Sequence, residues 1–125
     1  MSKLGKGSVF VLGAVAALTL AATGAFAGPA KQAATTNVAV TAGKPSEFKF
    51  TLSKKTVRKG ILVFKVTNKG MLTHDFKIAG KKTKHLRKGQ TATLRVTIAK
   101  AGKYKYLCTL PSHAAAGMKG VLTVK

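Results

Sequence analysis

The donor atoms that this sequence offers to a soft metal are few, and three of them fall within eleven residues near its end. Cys108, His113 and Met118 carry a thiol, an imidazole and a thioether, and four residues separate each from the next. The chain has one cysteine, three histidines and three methionines, so this stretch holds the whole supply of thiol. Two histidines and one cysteine with a weak axial methionine form the set that suits copper in one-electron chemistry. The stretch from Cys108 to Met118 brings all of it except one histidine. Taken singly, each residue has an ordinary reading. Cysteine and methionine are common core fillers, and a strand histidine is usually satisfied by hydrogen bonds. Their combination is what points to a metal.

The elements that must position these donors show period-2 alternation from Asn37 onward, broken by Gly, Pro and Asn. Val38 and Val40 share a face in the segment 37–41. Phe48, Phe50 and Leu52 point inward from 47–52, with Glu47, Lys49 and Thr51 outward. Leu62, Phe64 and Val66 form a core face in 61–67, and Asn68-Lys69-Gly70 turns the chain. In the segment 74–79, His74, Phe76 and Ile78 share the apolar side, while Asp75 and Lys77 take the other, because successive side chains alternate across a strand. His74 therefore supplies the missing inward imidazole. A basic loop follows over 80–90; it carries His85, which has no other donor beside it in sequence and is read as a solvated loop residue. Ala92, Leu94, Val96 and Ile98 then point inward from 91–98. Tyr104, Tyr106 and Cys108 share a face in 103–108, and Met118 opens the last strand over 118–124. Seven short strands with turn signals between them predict an all-β fold, a seven- or eight-stranded antiparallel Greek-key β-sandwich spanning residues 37–125. If the strand ends bearing His74, Cys108 and Met118 meet at one pole, a rigid scaffold holds four donors from two distant segments.

The first 27 residues read as a signal peptide. A short basic start with Lys3 and Lys6 precedes an uncharged apolar run over 8–24, and Ala25-Phe26-Ala27 gives the small-residue cleavage pattern. An uncleaved anchor is the alternative, since the run approaches spanning length. Residues 28–36 are small and polar without periodicity, which predicts a disordered leader. The protein is thus expected to be exported, to a periplasm, cell envelope or extracellular space. Cleavage after Ala27 leaves 98 residues with 21 basic against 2 acidic side chains, a net charge of +19.

That composition excludes several functions. Glu47 and Asp75 are the only carboxylate side chains, too few for paired-carboxylate hydrolysis or for an oxygen-rich Ca²⁺ or Mg²⁺ cage. A single cysteine forms no internal disulfide, and a lone thiol in an oxidising compartment is accounted for by metal ligation. Zinc on two histidines and one cysteine leaves the methionine without a role. Specific nucleic-acid binding expects clustered charge and stacking aromatics, whereas the lysines lie in every segment and tryptophan is absent. Further copper centres of oxidase type would need more histidines or a second cysteine, so an enzyme is not expected.

The segments Gly70-Met71-Leu72-Thr73-His74-Asp75-Phe76 and Tyr104 to Gly120 resemble the cupredoxins, the small type 1 (blue) copper proteins of plastocyanin, azurin, rusticyanin and auracyanin type. The resemblance covers roughly residues 37–125. It implies one mononuclear copper held by His74, Cys108 and His113 as equatorial ligands, the histidines through Nδ1, with Met118 axial. It also implies single-electron shuttling between larger redox partners, with copper delivery or storage as the alternative. Many members carry Asn after the first histidine, tying the two ligand loops together; here Asp75 accepts hydrogen bonds from Thr109 or backbone amides, or else stands solvated on the outer face. The family's second histidine lies in an apolar contact patch, for which Met71, Leu72, Leu110, Pro111, Ala114, Ala115 and Ala116 are the candidates around His113. The charge predicts a redox partner acidic at its docking surface, and also suits attachment to an anionic envelope surface. A monomer is expected.

Overall fold

The computed structural model describes residues 34–125. The signal segment 1–27 and the leader as far as residue 33 lie outside the described residues. Nine strands follow in order: β1 (Thr35–Ala42), β2 (Phe50–Leu52), β3 (Thr56–Val57), β4 (Gly60–Asn68), β5 (Lys77–Ile78), β6 (Lys81–Lys82), β7 (Thr91–Ile98), β8 (Gly102–Leu107) and β9 (Lys119–Val124). They form two sheets, β2-β1-β4-β7 and β3-β9-β8-β5-β6. The all-β sandwich is as expected. Among the described residues no helix is long and apolar enough to cross a membrane.

Alternation builds the two inner faces. Val38, Val40 and Ala42 of β1, Leu62, Phe64 and Val66 of β4, and Leu94, Val96 and Ile98 of β7 are all buried. All of these but Ala42 meet Phe76, Ile78, Tyr106, Leu122 and Val124 from the other sheet side in one continuous core. Each such side chain contributes roughly 1.5–3 kcal/mol on full burial. Phe76 ties the layers, with ring centroids 5.3 Å from Phe50, 5.2 Å from Phe64 and 5.5 Å from Tyr106.

The sandwich departs from the sequence expectation in several places. It is not wholly antiparallel: β1 pairs parallel with β4, Val40 opposite Val66, and β3 pairs parallel with β9. A parallel neighbour needs a long crossover, and the segment between β1 and β4 supplies one by visiting β3 in the second sheet. Thr35 and Thr36, expected in the disordered leader, lie in β1 opposite Ile61 and Leu62. The strand expected over 47–52 begins only at Phe50, so Glu47 escapes strand parity. The strand expected over 74–79 shrinks to β5, with a single bridge between His74 and Leu86 ahead of it. Asp75 consequently does not point outward; its side chain is fully buried. The basic loop after Gly80 contains β6 and the buried Leu86.

Strand ends gather at one pole. β1 and β4 run parallel and finish there at Ala42 and Asn68, and β7 starts there, the Asn68 amide donating to the Gln90 carbonyl at 2.9 Å. Cys108 directly follows β8, Met118 directly precedes β9, and Cys108 N–H donates to Met118 C=O at 3.1 Å. Ala42, Cys108 and Met118 form a small second core with Phe48, Phe50 and Leu110 packed on it.

Candidate metal centre

Three segments carry the site. The first, between β4 and β5, holds His74 through paired backbone bonds with Leu86, 3.0 Å and 2.7 Å. Asn68, buried at the end of β4, clamps the approach to it. Its Nδ2 donates to Leu72 C=O and Leu86 C=O, both at 2.7 Å, and its Oδ1 accepts from Gly70 N–H at 2.8 Å. The second is the tight loop from Cys108 to Met118, closed by Met118 N–H to His113 C=O at 3.0 Å and His113 N–H to Leu110 C=O at 3.2 Å. The third is the β1–β2 connection, which delivers Glu47 and Phe48; the Phe48 ring meets the His113 ring edge-on at 5.1 Å between centroids.

The structure brings His74, Cys108 and His113 together, one donor atom from each lying within 4.8 Å of the others. His74 Nδ1 stands 3.1 Å from His113 Nδ1, and Cys108 Sγ stands 3.5 Å from His113 Nδ1. His74 and Cys108 are buried and His113 is partly exposed. Met118 is fully buried beside Cys108 in the same small core. His85 lies outside the group, 63% exposed at its side chain, with Nε2 3.6 Å from Asp75 Oδ2.

Glu47 sets the chemistry of His74. Its Oε1 lies 2.6 Å from His74 Nε2, and its two oxygens accept from Met71 N–H at 2.9 Å and Leu72 N–H at 3.0 Å. Partial burial raises the Glu47 pKa, but the two backbone bonds and His74 outweigh it and bring the value to about 2. An ionised carboxylate only accepts, so the His74 nitrogen that faces it, Nε2, carries a proton, and Nδ1 is the nitrogen turned toward His113. A carboxylate on the far ring nitrogen is the usual device for fixing a metal-binding histidine. Burial, and then the neighbouring His74, lower the His113 pKa, while Glu47 and Asp75 oppose the fall. Burial pushes the Cys108 thiol up, while amides of Asp75 and Leu110 oppose the rise; Asp75 N–H stands 3.5 Å from Sγ.

Asp75 ties the segment that bears His74 to the loop that follows Cys108. Its Oδ1 accepts from Thr109 N–H at 2.6 Å, and its Oδ2 accepts from the Thr109 hydroxyl. Sequence reasoning missed Glu47 and Asn68. The one available signal for Glu47 was its rarity, since a strongly basic chain keeps just two acidic side chains.

The donor set fits one type 1 copper site: two imidazole nitrogens and a thiol converge, with no carboxylate oxygen among them, which disfavours hard cations. No curated protein matches the sequence. Among solved structures, the chain is similar to auracyanin A, a "blue" copper protein of the green thermophilic photosynthetic bacterium Chloroflexus aurantiacus. The two are 19% identical over 74% of this chain and 100% of that one, with a TM-score of 0.64. Rusticyanin from Thiobacillus ferrooxidans is 26% identical over 73% of this chain and 77% of its own, with a TM-score of 0.57. The copper nitrite reductase of Nitrosomonas europaea, 19% identical with a TM-score of 0.59, shares 74% of this chain but 42% of its own. Residues 12–124 match the cupredoxin-like domain, and with the fold and the histidine–cysteine group in place the chain belongs to that family.

Proposed function

We propose that this protein is an exported, non-enzymatic type 1 copper protein that passes single electrons between redox partners. His74, Cys108 and His113 would hold the copper as equatorial ligands, with Met118 as the axial fourth. Copper bound there supplies a one-electron couple at a fixed site. The observation that carries the reading is the convergence of one ring nitrogen from each of His74 and His113 with Cys108 Sγ, all within 4.8 Å.

The chain's own residues suit the task. The Cys108–Met118 loop is braced by its own backbone bonds, and the His74 segment by Asn68 and Leu86. A scaffold so held changes little between two charge states. His113 is the one donor of the three that is partly exposed, and Met71 and Leu72 are 72% and 46% exposed. Together with Pro111, Ala115 and Ala116, also exposed, they support an apolar contact at this pole for a short-lived complex. The surplus of cations supports a partner acidic at its docking surface, or loose attachment to an anionic envelope. Copper delivery or storage is the weaker reading, because His74 and Cys108 are 0% and 1% exposed, whereas exchange favours open ligands.

The test is titration of the purified protein with Cu(II), followed by visible and EPR spectra. An intense thiolate-to-copper charge-transfer band should appear in the wild type and be missing from Cys108→Ala. A colourless protein that prefers zinc would refute the reading.

A further inference from the structure

The sequence has 23 lysines and arginines and two carboxylate side chains. Both carboxylates stand at the donor group. Glu47 contacts His74 Nε2 at 2.6 Å, and Asp75, buried beside it in sequence, accepts from Thr109 next to Cys108. Among the described residues, the basic side chains within ion-pair distance of these carboxylates are histidines alone, His74 for Glu47 and His85 for Asp75. No lysine or arginine among the described residues pairs with them, although a carboxylate on this surface would have had many to choose from. Ordinary surface pairing therefore does not account for their placement.

We propose that Glu47 and Asp75 act as a charge-setting pair for the metal centre, holding it toward its oxidised form against the positive charge of the rest of the protein. The proposal rests on the copper reading above. Loss of an electron adds one positive charge at the centre, and a fixed negative charge nearby favours that state. The attraction is larger in a site shielded from water than on the surface. Glu47 acts through the His74 ring. Asp75 acts from the Cys108 side, where its carboxylate is wholly buried and its own N–H faces Sγ. Both are positioning residues, reaching the centre through a ligand or its neighbour. Each can be neutralised without changing shape. Glutamine keeps an oxygen for the ring N–H, and asparagine keeps an oxygen for the Thr109 amide.

The experiment is a reductive titration of the copper-loaded wild type, Glu47→Gln, Asp75→Asn, the double variant and Lys59→Gln. Lys59 bonds the Lys125 carbonyl, at the end of β9 remote from Met118. Each carboxylate variant should favour Cu(I) over Cu(II) by about tenfold relative to wild type, which is about 59 mV upward for a one-electron couple. The double variant should exceed either single one, and Lys59→Gln should stay within about threefold of wild type. Potentials unchanged in both single variants, with native spectra, would mean that the carboxylates only brace the loops, and would overturn the proposal. If Glu47→Gln fails to take up copper, Asp75→Asn and the charge-retaining Glu47→Asp decide the matter in the same assay. Ring ¹⁵N shifts of the metal-free wild type give a separate readout. A proton on Nε2 of His74 supports the Glu47 contact, and a proton on Nδ1 overturns it. A wild type with no thiolate band would defeat the copper reading, while the nitrogen shifts still decide that contact.

Discussion

Gly70 shows how little room separates the parts of the centre. A Cβ built on it would run into Glu47 Oε1 and lie 3.0 Å from His74 Nε2. The same glycine's backbone also abuts Gly43, whose φ of 80° lies in the left-handed region open to glycine. The close approach of the 43–49 and 69–73 segments is thus what lets a carboxylate reach the histidine. Alanine at 70 has one way to fit, by displacing the Glu47 carboxylate. Gly70→Ala should destabilise the protein by about 1–3 kcal/mol through overpacking, read as a lower urea midpoint. An unaltered midpoint would mean that the two segments are not in contact as described. None of this is written in local sequence pattern, because Glu47 lies 27 residues from His74 and meets it and Gly70 only through the fold.

Among the elements, the long strands with a buried face on one side were legible and the short ones were not. β7 keeps its expected bounds because Leu94, Val96 and Ile98 alternate with Thr93, Arg95 and Thr97 without interruption. β3 has a single buried residue, Val57, among lysines and Arg58, and β6 is two exposed lysines, so neither carries an apolar signal. Parity named the inward faces of His74 and Cys108 correctly. It failed for Asp75, since the chain there is held by one bridge and has no continuous ladder to enforce alternation. Parallel pairing of β1 with β4 was invisible for a related reason: the hydrophobic period is the same in either direction. The element scale also says where the scaffold is most vulnerable. Phe76 stands between His74 and β5, fully buried against Phe50, Phe64 and Tyr106. Phe76→Ala should cost about 3–5 kcal/mol, measured by chemical denaturation. A loss below about 1 kcal/mol would show that the two sheets do not close on this ring.

At the scale of the whole molecule, the placement of the two carboxylates leaves the surface with cations almost alone. Asp75 presents no side-chain surface and Glu47 about a quarter of its own, 26%, while most of the lysines are exposed. Among the described residues, like charges so distributed give a positive field, with the two carboxylates gathered beside the group of His74, Cys108 and His113. Under the proposed function, such a field would draw in a partner acidic at its docking surface, and the exposed Met71 and Leu72 with His113 would provide the contact where an electron crosses. Charge of this kind speeds encounter far more than it strengthens the complex. The consequence is a rate that depends on salt with a sign set by the charge of the reagent. Oxidation of the reduced copper protein by an anionic one-electron oxidant such as ferricyanide should slow by about tenfold or more between 0.01 M and 0.1 M ionic strength, as the Debye length falls from about 30 to 10 Å. A cationic oxidant should show the opposite trend, because salt screens its repulsion. Stopped-flow traces at several ionic strengths separate the two cases. If both rates were indifferent to salt, the lysines would be a solvated coat with no part in steering, and the acidic-partner reading would lose its support.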